Sequence, residues 1–152
     1  DYVFQRHQFE KNARMSKEEV KEEHKRTEGD PHVKARRRQR QREIARYRMM
    51  QAVKNATVVV TNPTHIAVAL RYEAETMGAP EVVAKGERLL AQRIKEVAAE
   101  NDVPMVENVT LARTLHKQVG IGDQIPAELY QAVAEVLAFV FRMSNSAGAE
   151  RL

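Results

Sequence analysis

The stretch Thr57-Val58-Val59-Val60-Thr61-Asn62-Pro63-Thr64-His65-Ile66-Ala67-Val68-Ala69-Leu70-Arg71-Tyr72 decides the fold. Five consecutive β-branched residues, Thr57 to Thr61, are stiff side chains that suit an extended backbone, and they read as a buried strand bounded by Asn-Pro. From Ile66 onward, Ile66, Val68, Leu70 and Tyr72 alternate with Ala67, Ala69 and Arg71. That period of two predicts a second strand over 66–72. Asn62, Pro63, Thr64 and His65 join the two.

Downstream, residues 73–80 with Gly78 and Pro80 read as a loop, and Glu81 to Lys85 as a third strand ended by Gly86. Leu90, Ile94, Val97 and Ala98 recur at helical spacing and predict a helix over about 87–101, before a short strand at Met105-Val106-Glu107. Leu111, Ala112, Leu115 and Val119 mark a further helix closed by Gly120 and Gly122. Pro126 then suits a first helical turn, and Leu129, Val133, Val136, Leu137, Val140 and Phe141 define a last amphipathic helix. The expected fold is α/β, a small sheet of about four strands surrounded by helices.

Upstream of Asn55 the texture is different. Ser16 and Glu19 have capping-box spacing and Gly29 is placed to stop a helix, so 17–28 is expected to be helical. After Gly29-Asp30-Pro31, residues 33–53 read as a second helix with a weak apolar face at Ile44, Tyr47 and Gln51 and with Met49, Met50 and Val53 near its end. The domain therefore follows a long basic N-terminal helical linker. The expected division is 1–55 linker, 56–143 globular domain and 144–152 flexible tail.

Charge is segregated along this order. Residues 1–30 hold 7 basic and 8 acidic side chains, residues 31–56 hold 9 and 1, and residues 57–152 hold 9 and 12. The middle stretch, with Lys34, Arg36, Arg37, Arg38, Arg40, Arg42, Arg46, Arg48 and Lys54 against Glu43, suits an anionic partner. Nucleic-acid phosphate and the anionic cytoplasmic face of a membrane both fit, and a merely solvated helix face accounts for the same residues.

Other classes drop out on composition. The 152 residues include no cysteine, which removes disulfides, thiolate nucleophiles and thiolate metal sites. His7, His24, His32, His65 and His116 form no close ligand pair, so neither a metal nor a cofactor is expected. There is no glycine-rich phosphate loop and no Gly-x-Ser-x-Gly elbow. The longest apolar runs fall far short of the ~20 residues that span a bilayer. The chain opens at Asp1 with no initiator Met or signal segment, and is expected to be a fragment of a longer protein.

Asn62-Pro63-Thr64-His65 supports two readings. As a plain turn, Asn-Pro initiates it and Thr64 bonds locally. As a reactive site, the Asn62 amide nitrogen attacks its own main-chain carbonyl carbon, closing a succinimide and expelling Pro63 as a new amino terminus. Proline has no N–H, which closes off the competing deamidation through the following backbone nitrogen. An amide is a poor nucleophile and a prolyl nitrogen a poor leaving group, so an imidazole that moves the proton would assist, and His65 lies within reach.

Several motifs in order add to this. Met15-Ser16-Lys17-Glu18-Glu19-Val20, Glu28-Gly29-Asp30-Pro31 with the basic helix, the valine-rich strand before Asn62-Pro63-Thr64-His65, Val82-Val83-Ala84-Lys85-Gly86, and Ile125-Pro126 leading into Ala134-Glu135-Val136-Leu137 together span about Tyr2 to Met143. In these the chain resembles the cytoplasmic domain of the FlhB/YscU family of type III secretion export-switch proteins. Val82 to Gly86 and the helix from Pro126 look more similar to the flagellar branch than to the injectisome branch.

The resemblance implies transmembrane helices upstream of Asp1 and a position on the cytoplasmic face of the bacterial inner membrane. It implies single-turnover self-cleavage between Asn62 and Pro63, not a turnover enzyme, with Thr64 holding the turn, His65 shuttling the proton and both halves staying associated. It further implies a switch from rod and hook-type to filament-type export. The implied partners are other export-gate subunits, a hook-length ruler protein, exported flagellar substrates and the anionic membrane surface near the linker, with no nucleic acid. The alternatives are an injectisome homologue and, in another class, a nucleic-acid-binding adaptor using the basic arm.

Overall fold

The computed structural model of the chain describes residues 29–150, with side chains to residue 145. The helix expected over 17–28 lies outside the described residues. Two compact units divide between Ala45 and Arg46.

In the first unit the described residues are the start of helix α1 (Pro31–Lys54) and the two residues before it. Asp30 caps the helix: its carboxylate accepts the His32 N–H at 3.0 Å and its carbonyl accepts the Lys34 N–H at 3.0 Å. Pro31 fits the first turn because an N–H there has no helical partner to lose. Residues 31–45 are exposed throughout.

The second unit begins inside the same helix. Tyr47 is exposed, whereas Met49 and Val53 are buried. The elements that follow are β1 (Val58–Asn62), β2 (Ile66–Arg71), β3 (Glu81–Glu87), α2 (Arg88–Glu100), β4 (Met105–Glu107) and α3 (Val109–Gln118). A short 3-10 helix (Ala127–Leu129) leads into α4 (Tyr130–Glu150). The strands form one sheet in the order β3-β2-β1-β4, with β1 antiparallel to β2 and parallel to β4, and β2 antiparallel to β3. This is the α/β arrangement expected, a mixed sheet of four strands with helices around it.

Every residue of β1 is buried, as are the first five of β2. The alternation that marked β2 in the sequence therefore separates two apolar faces and not an inside from an outside. Val58, Val60, Ile66, Val68 and Leu70 pack on one face with Leu111, Leu115, Val133 and Leu137 of α3 and α4. Val59, Ala67, Ala69 and Ala84 pack on the other with Ile94 and Val97 of α2 and with Met49 and Val53. Large side chains face two helices, and mostly small ones let α2 approach closely.

Two element ends and the register of one strand stand out against expectation. β3 runs through Gly86 to Glu87, because that glycine serves packing and does not end the strand: a Cβ on Gly86 would lie 2.6 Å from Cγ of Leu90 on α2. β3 also carries an irregularity, since Ala69 pairs with Ala84 but Leu70 with Val82, so Val83 is an extra residue. That shift turns Val82 toward α3 and α4 while Ala84 faces α2. Finally, α4 continues to Glu150, well past the last apolar residues that defined it in the sequence.

Lys85 ties β3 to α3. Its ammonium donates to the carbonyls of His116 and Val119, each at 2.9 Å, where the end of a helix leaves carbonyls unpaired and carries partial negative charge. The Gly86 contact yields a prediction. Gly86→Ala is expected to destabilise the domain by about 1–3 kcal/mol through overpacking. In urea unfolding, the double variant with Leu90→Ala should recover part of that loss, so the two costs should not add.

Candidate functional site

β1 and β2 are joined by a three-residue loop, because Asn62 is the last residue of β1 and pairs with Ile66. The sequence placed Asn62 in the turn; pairing of the strand ends takes it into the sheet, where it is 5% exposed. Pro63, Thr64 and His65 are exposed. The structure thus brings the four sequence-predicted residues together at one hairpin end, with the asparagine anchored and the other three at the surface.

The hydrogen bonds around this end are specific. The His65 N–H donates to the Asn62 carbonyl at 3.1 Å, closing the turn over the Asn62–Pro63 bond and polarising that carbonyl. The Thr64 hydroxyl and His65 Nδ1 are hydrogen-bonded to each other, which leaves Nε2 as the ring atom available for proton exchange. Among the described residues, no buried side-chain nitrogen or oxygen lacks a hydrogen-bond partner. At the strand side of the same end, the Thr61 carbonyl accepts the N–H of Asn108, whose side chain caps α3 through the Leu111 N–H at 3.1 Å.

Two anchors come from α2, and local sequence reasoning missed both. The N–H of Arg88 donates to the His65 carbonyl at 3.0 Å, and the Lys95 ammonium donates to the Pro63 carbonyl at 2.7 Å. Arg88 sits at φ +55°, a left-handed conformation that costs an ordinary L-residue roughly 1–2 kcal/mol. No feature of the sequence marks either residue, since Arg is not a positive-φ type and Lys95 lies 32 positions from its partner. Among the described residues, no group of three His, Cys, Asp or Glu side chains is gathered closely enough to hold a metal ion.

With this geometry established, comparison with known proteins places the chain. Residues 1–140 match the FlhB HrpN YscU SpaS family. The chain belongs to that family. It is 51% identical to the flagellar biosynthetic protein FlhB of Bacillus subtilis over 142 residues, 93% of this chain and 39% of that protein. Against the Escherichia coli FlhB it is 52% identical over 145 residues, 95% of this chain and 38% of the relative. Against the secretion system apparatus protein SsaU of Salmonella typhimurium it is 45% identical over 150 residues, 99% and 43%. The chain thus spans about two fifths of the length of these relatives.

Among solved structures, the cytoplasmic domain of FlhB from Shewanella putrefaciens superposes with a TM-score of 0.66 at 40% identity, covering 68% of this chain and 80% of that one. A mutated C-terminal domain of EscU gives a TM-score of 0.59 at 32% identity, covering 60% and 92%. No described helix is long and apolar enough to cross a membrane.

The strained anchor can be tested directly. Arg88→Gly is expected to raise the unfolding free energy by about 0.5–1 kcal/mol, the relief of the left-handed backbone less the larger entropy glycine brings to the unfolded chain. A shift of the urea midpoint to higher concentration at unchanged m-value would register it.

Proposed function

We propose that this chain is the self-cleaving cytoplasmic domain of a flagellar type III protein-export component, which controls the switch from rod and hook-type to filament-type export. The observation that carries the reading is the state of Asn62. Asn62 is buried at the end of β1 and its carbonyl is held by the His65 N–H, next to an exposed proline. Family membership and relatives named as flagellar biosynthetic proteins at 51–52% identity, against 45% for the secretion apparatus protein, support the flagellar branch.

The chemistry follows from the turn. The Asn62 carboxamide nitrogen attacks the Asn62 carbonyl carbon, and the developing oxyanion remains against the His65 N–H. The imidazole of His65 takes the proton from the attacking nitrogen and returns one to the prolyl nitrogen as the Asn62–Pro63 bond breaks. A succinimide ends the first segment and Pro63 begins the second; water later opens the ring. Thr64 holds His65 Nδ1 and so orients the ring. The process is a single turnover, not enzymatic cycling.

Cleavage here would not separate the halves. β1 lies between β2 and β4 in the sheet and is buried on both faces, so the first segment stays paired on both edges. In this reading residues 1–55 are a linker from an upstream membrane domain, and 56–143 form the cleaving domain at the cytoplasmic face of the inner membrane. Residues 144–152 lie beyond it. Other export-gate subunits, a ruler protein, exported flagellar substrates and the anionic leaflet beside Arg36 to Arg48 are its partners, and nucleic acid is not.

Intact mass under denaturing conditions tests the proposal. Wild-type chain should give two fragments divided between Asn62 and Pro63, and Asn62→Ala a single species. Pro63→Ala should slow the reaction, and His65→Ala should slow it by about 10²-fold, the lower range for general acid–base assistance. A wild-type chain still whole after prolonged incubation at neutral pH overturns the reading, as does Asn62→Ala cleaving at the wild-type rate.

A further inference from the structure

We infer that Lys95 is a positioning residue for cleavage, holding the leaving proline in the attack geometry through its carbonyl; the inference rests on the self-cleavage proposed above. Three backbone carbonyls at this hairpin end are each occupied by a defined donor. Asn62 O takes the His65 N–H at 3.1 Å, His65 O takes the Arg88 N–H at 3.0 Å, and Pro63 O takes the Lys95 ammonium at 2.7 Å. The first two are backbone bonds that many side chains at those positions would preserve. The third exists only because residue 95 carries a long cationic side chain.

The torsions of the loop show why this bond matters. The pyrrolidine ring fixes φ of Pro63, so ψ of Pro63 is the first soft torsion after the scissile bond. The direction of the Pro63 carbonyl reports that torsion, and it is the atom Lys95 holds. Releasing it frees the Pro63–Thr64 peptide to rotate, which displaces the His65 N–H from the Asn62 carbonyl and His65 from the prolyl nitrogen. Orientation lost in this way translates directly into rate.

Nothing else on α2 claims this cation. Its helical neighbours at three and four positions in each direction are Gln92, Ala91, Ala98 and Ala99, none of them acidic. Among the described residues Lys95 makes no ion pair, while Arg93 on the same helix pairs with Glu96 at 3.2 Å. Lys95 and Arg88 are seven residues apart, two helical turns, and so address the loop from one side of α2. Because Lys95 bonds to the carbonyl of the leaving residue and not to the scissile one, it acts by positioning.

The test follows cleavage of the full chain after pulse-labelled synthesis, with the two products resolved under denaturing conditions. Lys95→Met is expected to lengthen the half-time by about tenfold, the scale of one charge-assisted hydrogen bond. Lys95→Arg, which keeps a cationic donor, should return it to within about twofold of wild type. In an Asn62→Ala background, where no cleavage intervenes, Lys95→Met should leave the thermal midpoint unchanged and move the carbonyl carbon resonance of Pro63, whereas Lys95→Arg should leave that resonance in place.

Cleavage of Lys95→Met at the wild-type rate overturns the inference while leaving self-cleavage standing. A slowing that arginine does not relieve, or one matched by a fall in the thermal midpoint, overturns it as well by assigning Lys95 a structural role. If the wild-type chain does not cleave, the reading of Asn62-Pro63 fails first, and this inference with it.

Discussion

The burial of β1 on both faces and both edges is the constraint on which the rest depends. Its five residues are buried, β2 and β4 hydrogen-bond its two sides, and helices cover it above and below. A strand so enclosed has no freedom to slide, because a one-residue slip would exchange the valines of one face for those of the other against differently shaped partners. Its end is therefore a fixed point in the molecule, and Asn62 is that end. Chemistry that needs a side-chain nitrogen held near its own carbonyl gains its orientation from the core of the domain.

The same constraint divides the labour at the hairpin. Asn62 is in the sheet and buried, and Pro63 to His65 are outside it and exposed. The loop is steadied by α2 at two of its carbonyls, and α2 is itself seated by Ala67, Ala69, Ala84 and Gly86, whose small size sets how near the helix lies. Packing on one face of the sheet thus reaches the Asn62-Pro63 turn through a helix. The left-handed Arg88 is the visible cost of starting α2 directly after β3 while directing its N–H at the loop.

Much of this was legible before any coordinates. The β-branched run, the period-two alternation and the helical spacing located every strand and helix within the described residues, because each is a local pattern repeated along one element. The candidate turn stood out for a different reason: Asn followed by Pro has chemistry of its own, whatever surrounds it. What misled was function at the boundaries. Gly86 read as a strand terminator because glycine commonly is one, yet here it admits Leu90. Ile44 and Tyr47 read as the weak apolar face of α1, yet both are exposed, and of the apolar residues near its end Met49 and Val53 are buried.

The sequence by itself determined the fold class, the order of elements, the segregation of positive charge into one helix and the identity of the four residues at the turn. Each depends on residues adjacent or nearly adjacent in the chain. Only the tertiary structure decided that Asn62 belongs to the strand, that Val83 is an extra residue in β3, and that Arg88 and Lys95 close on the loop. These are contacts between positions tens of residues apart, created when α2 packs against the sheet. A lysine on an exposed helix face carries no local mark of the carbonyl it will meet.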